Sequence, residues 1–171
     1  MKTLFFSPKG RINKHAFLKG VMIIALIYAA LSLLTYLVKP LGLVFSFISL
    51  LLYVPFIFLM IKRSHDGGKS GWLSVAWFIL WAGVTIVFST IMILLTQLDL
   101  VQEYFTLSLE AVEAGDKAAQ NEIAESFSKS LSDVAMLPMI PFGFLGTMAG
   151  AYLINLLIGK DPHDNQYGPA T

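Results

Sequence analysis

Apolar positions in this chain come in long unbroken runs, not in strict alternation with polar ones. Four runs are long enough to cross a bilayer core as an α-helix, which takes about 20 residues. They fall at residues 17–38, 41–61, 72–98 and 136–158. The second is the clearest, because fifteen of its residues are Leu, Ile, Val or Phe and none is charged. Each such side chain favours insertion by about 0.3 to 0.6 kcal/mol near the helix centre, whereas one Arg there costs about 2.5 to 3.5 kcal/mol. Lys62 and Arg63 therefore read as the exit from the membrane. A transmembrane barrel would need alternation, and an open sheet in lipid leaves backbone groups unpaired. The fold class predicted is all-α, a polytopic membrane protein of four transmembrane helices.

Between the third and fourth runs the pattern changes. Residues 99–133 carry eight acidic side chains and two lysines, a net charge of −6. Val101, Phe105, Leu109 and Val112 recur at helical spacing up to Gly115, and Ala119, Ile123, Phe127 and Leu131 recur after Asp116. Gly115 reads as a helix terminator and Asp116 as an N-cap. The pattern predicts an extramembrane helical hairpin between helices three and four, an acidic amphipathic insertion within one integral membrane domain spanning residues 1–171. A lid packing on itself is the simpler reading of its charge, and a cation-attracting vestibule the sharper one.

Composition agrees with the runs: 56% of the 171 residues are hydrophobic and 13% charged, far from a soluble domain. With no cysteine, disulfides, thiolate catalysis and cysteine-ligated metal are excluded. A net charge of +1 points to no nucleic acid or other polyanion. Nine Lys and Arg fall before the first run, between the second and third, and after the fourth, against three on the other side. By the positive-inside bias both termini are cytoplasmic and the hairpin is outside. The first run is too long for a cleaved signal peptide and reads as an anchor.

Within the runs, polar side chains are scarce: Ser32, Thr35, Ser46, Ser49, Thr85, Ser89, Thr90 and Asn155. An ion-coupled transporter normally keeps an ionisable residue at mid-membrane depth, so the absence of one counts against that class. Gly146 and Gly150 form a GxxxG that lets another helix approach closely, within the bundle in the simpler reading. Pro55 is expected to kink the second span, and Pro138 and Pro141 to mark the start of the fourth. Trp72 stands where an interfacial anchor belongs.

The chemistry-bearing residues gather on the cytoplasmic side. Gly68-Lys69-Ser70 ends like a phosphate-binding loop, but such a loop needs a glycine five residues earlier, where Arg63 stands, and a preceding strand. His65-Asp66 is the one acid–base pair, yet neighbours in sequence do not readily face each other on a helix and no nucleophile accompanies them. A metal site would have to draw on His15, His65, Asp161, His163 and Asp164, whose spacing is poor; no metal or cofactor is expected. An Asp before Gly-Gly more simply caps a turn, and a membrane-edge His more simply meets a backbone carbonyl.

Three polar clusters must nevertheless lie within one small bundle's width: "SPKGRINKHAF", "KRSHDGGKSGW" and "GKDPHDNQYGPA". Gly10-Arg11-Ile12-Asn13 followed by Phe17, then Arg63-x-His65-Asp66-x-Gly68-x-Ser70-Gly71-Trp72, then Asn165-x-Tyr167-Gly168-Pro169, resemble the three signatures of the domain of unknown function 805 family. The resemblance extends over most of the chain, with residues 99–133 as an insertion; Leu18 and Ser64 depart from the family's usual Trp and Leu. It implies a small bacterial inner-membrane protein with no established activity.

The leading expectation is a non-enzymatic inner-membrane protein whose cytoplasmic loops form a structural or binding platform. Arg11, Arg63 and Lys69 would supply charge for an anionic lipid head group, with Asn13, Asp66 and Asn165 pinning turns and Trp72 fixing depth. His65, Ser70 and Tyr167 complete the candidate set. A protein partner or a second copy of the chain is the other occupant considered. The alternatives are an interfacial enzyme using His65 as general base oriented by Asp66, and a small-solute transporter.

Overall fold

A computed structural model describes the backbone of residues 2–171, with the side chains of residues 4–131 and 137–171. Helices run in the order α1 (Lys2–Phe5), α2 (Lys14–Leu37), α3 (Gly42–Leu51), α4 (Tyr53–Asp66), α5 (Ser74–Thr96), α6 (Leu98–Glu113) and α7 (Lys117–Leu157). Short 3-10 turns at Lys39–Leu41 and Gly71–Leu73 lead into the second and third spans. Four helical stretches are long and apolar enough to cross a membrane: α2, the α3–α4 pair, α5 with its leading turn, and the last 21 residues of α7. The chain is an all-α integral membrane protein, and four crossings bring both terminal segments to one end of the bundle, here called the terminal end.

The first span starts at Lys14 because Asn13 caps it, its Oδ1 accepting from the Ala16 N–H at 2.9 Å. The second is two helices. Pro55 has no N–H for the carbonyl four residues earlier, and the helix breaks at Leu52, between α3 and α4. Beyond the break α4 continues past Lys62 and Arg63, the predicted membrane exit. It runs to Asp66, and Lys62 to Asp66 are all buried. Their polar atoms meet protein partners at the terminal end, so the helix need not end where lipid does.

The fourth span has no separate start. α7 is one helix of 41 residues, about 60 Å at the α-helical rise, and it passes through Pro138 and Pro141. These prolines stand at the start of the apolar stretch Leu137–Leu157, as expected, and the helix is continuous through them; a proline can stay inside a membrane helix where neighbouring groups take up the freed carbonyls. The predicted start at residue 136 falls among residues whose side chains lie outside the description.

The hairpin forms from α6 and the first part of α7. Gly115, at φ +67°, reverses the chain, and Asp116 caps α7 by accepting from Ala118 and Ala119 N–H. Its second arm presents the expected stripe inward. The first arm does not: Phe105, Leu109 and Val112 are exposed, and α6 instead meets α7 through Tyr104, stacked on Phe127 at 4.2 Å, and buried Ala111.

The tightest core sits in the terminal half of the bundle. Phe17, Val21, Leu59, Met60, Ala151 and Ile154 are fully buried. A Cβ on Gly20 would stand 2.8 Å from Leu59 Cδ1, so glycine there sets the α2–α4 distance. Gly146 and Gly150 serve the α5–α7 contact: a Cβ at Gly146 would meet Thr85 and Phe88, and one at Gly150 would stand 2.9 Å from Trp81 Cδ1.

Candidate functional site at the terminal end

Arg63 and Asp66 lie one turn apart at the end of α4, and burial leaves each 2% exposed or less. Arg63 Nη1 donates to Asp66 Oδ2 at 2.8 Å. Its Nε donates to Asn155 Oδ1 at 2.7 Å and its Nη2 to the Ile158 carbonyl at 2.6 Å. The carbonyls of Asn155, Ile158 and Gly159 close α7, where no intrahelical N–H remains to pair them. A guanidinium there also opposes the negative end of the helix dipole. Asn155 Nδ2 reaches on to the Lys14 carbonyl at 3.3 Å, which ties α2 to the same point.

Asp66 is placed against that dipole logic, since a carboxylate at a helix C-terminus is disfavoured. Cations and donors compensate. Arg11, brought over by the loop before α2, donates from Nη2 to Asp66 Oδ1 and to the Asp66 carbonyl, both at 3.3 Å. The same guanidinium donates to the carbonyls of Asp161 at 2.6 Å and His163 at 2.7 Å. Its Nε is buried with no partner among the described residues. The Thr171 hydroxyl donates to Asp66 Oδ1, and the Asp161 N–H to the Asp66 carbonyl. One carboxylate thus joins α4, the N-terminal loop and the C-terminal tail.

His65 does not work with Asp66. Successive helix residues project about 100° apart, so the carboxylate turns to the arginines while the imidazole turns to the N-terminal loop. Its Nδ1 lies 3.1 Å from the Gly10 carbonyl, which can only accept, so Nδ1 is the donor. Nε2 faces Gly71, where a Cβ would come within 3.1 Å of it. One ring face is covered by Tyr167, stacked at 3.8 Å and 3°. The expected dyad of a base oriented by Asp66 is therefore corrected. So is the expected turn: His65 and Asp66 form the last turn of a helix, and the chain reverses after them at Gly68, φ +68°.

The tail is folded by its own side chains before it docks. Asn165 and Gly168 exchange both backbone hydrogen bonds across a turn. Asn165 Nδ2 donates to the His65 carbonyl at 3.2 Å and to Asp161 Oδ2 at 3.0 Å. Its hydrogen bond is the chief cause, with the His163 N–H next, of an Asp161 carboxyl held below the ordinary aspartate range.

Of the predicted residues, Arg11, Arg63, His65, Asp66, Asn165 and Tyr167 converge, with Asn13 at their edge as the α2 cap. Lys69, Ser70 and Trp72 do not join them. Ser70 caps the turn at Gly71–Leu73, Trp72 projects outward at 84% exposure, and the Lys69 ammonium lies 5.7 Å from the Trp77 ring. Lys69, Ser70 and Trp72 head a shallow groove of about 690 Å³ that runs down α5 past Val75 and Ile79. Among the described residues no group of three or more His, Asp or Glu gathers that could hold a metal ion. Asn155 and Thr171 entered no predicted site, and Asp161 only the poorly spaced metal set; as single polar residues in a span or a tail they carry no local signal.

The family comparison covers the first two motifs and not the third. The family model described as protein of unknown function (DUF805) matches residues 5–99, ending where the acidic helices begin. No curated protein and no solved structure matches the chain. Matched over more than half of its 171 residues, the chain belongs to the DUF805 family of proteins of unknown function.

Proposed function

We propose that this is a non-enzymatic inner-membrane protein in which the terminal motifs are a structural clamp and the Lys69–Trp72 edge is the surface that meets anionic lipid. The observation that carries the reading is where the guanidinium donors go. Nearly every Arg11 and Arg63 N–H is directed at the protein's own carbonyls or at Asp66, at full burial. A phosphate would have to displace contacts that close two helices and fix the tail. Lys69 and Ser70 instead stand at the head of an apolar groove on α5, with exposed Trp72 beside them, which suits a phospholipid with its head group at the lysine and an acyl chain along Val75 and Ile79. The terminal end is assigned to the cytoplasm by the lysine and arginine bias.

Native mass spectrometry of the purified protein with phosphatidylglycerol tests both halves. Lys69→Gln keeps the fold and loses bound lipid, whereas Arg63→Ala lowers the folded yield while its folded fraction binds lipid as wild type does. Unchanged lipid retention in Lys69→Gln, or lipid lost from folded Arg63→Ala, overturns the assignment.

A further inference from the structure

The polar residues of the spans are scarce but not scattered. Away from the terminal end, above the packed core, a cavity of about 560 Å³ opens between α2 and α3 on one side and α5 and α7 on the other. The break at Leu52 lies on its wall, with Tyr53 and Phe56 of α4 beside it. Ser32, Thr35, Ser46, Ser49, Thr85 and Ser89, six of the hydroxyl residues in the membrane runs, all line it. Tyr28, Tyr53 and Thr147 add three more hydroxyls, and among the described residues none of the lining carries a charge. Its innermost lining is Ile24, Ala25, Phe56 and Trp81; one turn closer to the termini the core closes with Val21, Leu59 and Met60.

Two of the lining groups are incomplete. Thr85 Oγ1 and Trp81 Nε1, one helical turn apart on α5, belong to residues of the cavity wall, are themselves closed off from solvent and find no hydrogen-bond partner among the described residues. By contrast Thr35 and Ser49 return their hydroxyl protons to the Leu31 and Phe45 carbonyls of their own helices. An unpaired donor at hydrocarbon depth costs on the order of a few kcal/mol, so a membrane protein keeps one where something accepts from it. The volume lies in the range of small-molecule sites, about 300 to 1,000 Å³. Aromatic walls with a few convergent donors suit an apolar body carrying one accepting oxygen.

The geometry points to a binding site for an uncharged ligand with a hydroxyl or carbonyl head within this cavity, met by Thr85 and Trp81 once a small turn of their side chains opens the two donors to it. A charged head is disfavoured, since no described lining residue would neutralise it in a low-dielectric setting. The ligand's head can belong to a membrane lipid or to a free polyol, and the two sources separate experimentally.

The full chain in detergent is titrated with dioctanoylglycerol, with glycerol and with dioctanoyl phosphatidic acid, reading thermal shift and native mass spectra. Thr85→Val, which keeps the shape and removes the hydroxyl, is expected to weaken the neutral ligand about tenfold, the equivalent of one hydrogen bond. Gly143→Leu also reports on the cavity, because Gly143 lines it and a Cβ there meets nothing within 4 Å; it is expected to abolish binding without loss of stability. Saturable binding of dioctanoylglycerol identifies a lipid source, and of glycerol alone an aqueous one; either, with the two variants impaired, supports the site. No binding of either neutral probe, equal binding of phosphatidic acid, or unchanged affinity in both variants overturns it and leaves a water-filled gap.

Discussion

The ring of Tyr167 lies flat on that of His65, with centroids 3.8 Å apart and planes 3° from parallel. This contact, the Asn165 amide on the His65 carbonyl and the Arg11 hydrogen bonds hold the C-terminal tail across the end of α4. Stacked rings contribute about 0.5 to 1.5 kcal/mol beyond the area they cover. Tyr167→Phe should therefore leave hydrogen exchange in residues 161–171 unchanged, whereas Tyr167→Ala should speed it by roughly three- to tenfold. Equal protection in both variants would show that the ring contact contributes nothing to docking.

Asp66 stands between two buried guanidiniums, so its removal should cost far more than an ordinary ion pair. Asp66→Asn leaves Arg11 and Arg63 facing a neutral amide, and an uncompensated buried charge costs about 3 to 5 kcal/mol. Unfolding in mixed micelles should register that loss, together with loosened contact between α2, α4 and α7. Combining Asp66→Asn with Arg11→Met should cost less than the two single losses added, because the orphaned charge goes with its partner. Strict additivity would mean the two side chains are not coupled, against the 3.3 Å contact between them.

Much of the fold was legible because its signals are local. The four apolar runs and the Gly115-Asp116 reversal each depend on a few consecutive residues, and each lies where the pattern put it. The burial of Lys62 to Asp66 carried no such signal, because it depends on the N-terminal segment and on a tail more than ninety residues away. The roles of Asn155 and Asp161 were hidden for the same reason: their partners are tertiary. The cavity had a signal that reading residues singly passes over. Trp81, Thr85 and Ser89 recur every four residues, as do Tyr28 and Ser32, which marks one polar stripe per helix.

Glycine at 150 sets how close α5 and α7 come. A Cβ there would stand 2.9 Å from Trp81 Cδ1 and 3.4 Å from its backbone, so the indole or the helix must move. Gly150→Ala should destabilise by about 1 to 3 kcal/mol, the usual cost of overpacking. Gly83 is the control on the facing helix, where nothing lies within 4 Å of a Cβ. Gly83→Ala should be neutral or add up to about 1 kcal/mol. A thermal melt of the two variants side by side decides it, and equal melting temperatures would remove the close-approach argument.

Pro55 determines the shape of the second span. It denies an N–H to the preceding turn, the helix breaks at Leu52, and α3 packs on α2. Pro55→Ala restores that donor, so the two segments should straighten toward one helix and α3 should shift relative to α5. The chain has no cysteine, which lets spin labels be placed at single introduced cysteines without further changes. Phe47 on α3 and Ile86 on α5 are exposed and suit the purpose. Pulsed dipolar spectroscopy should find the label distance changed by several ångströms in Pro55→Ala, with a narrower or wider cavity as its direct consequence. An unchanged distance would place the cause of the break in the packing of α3 on α2, because the missing donor would then be making no difference to the geometry.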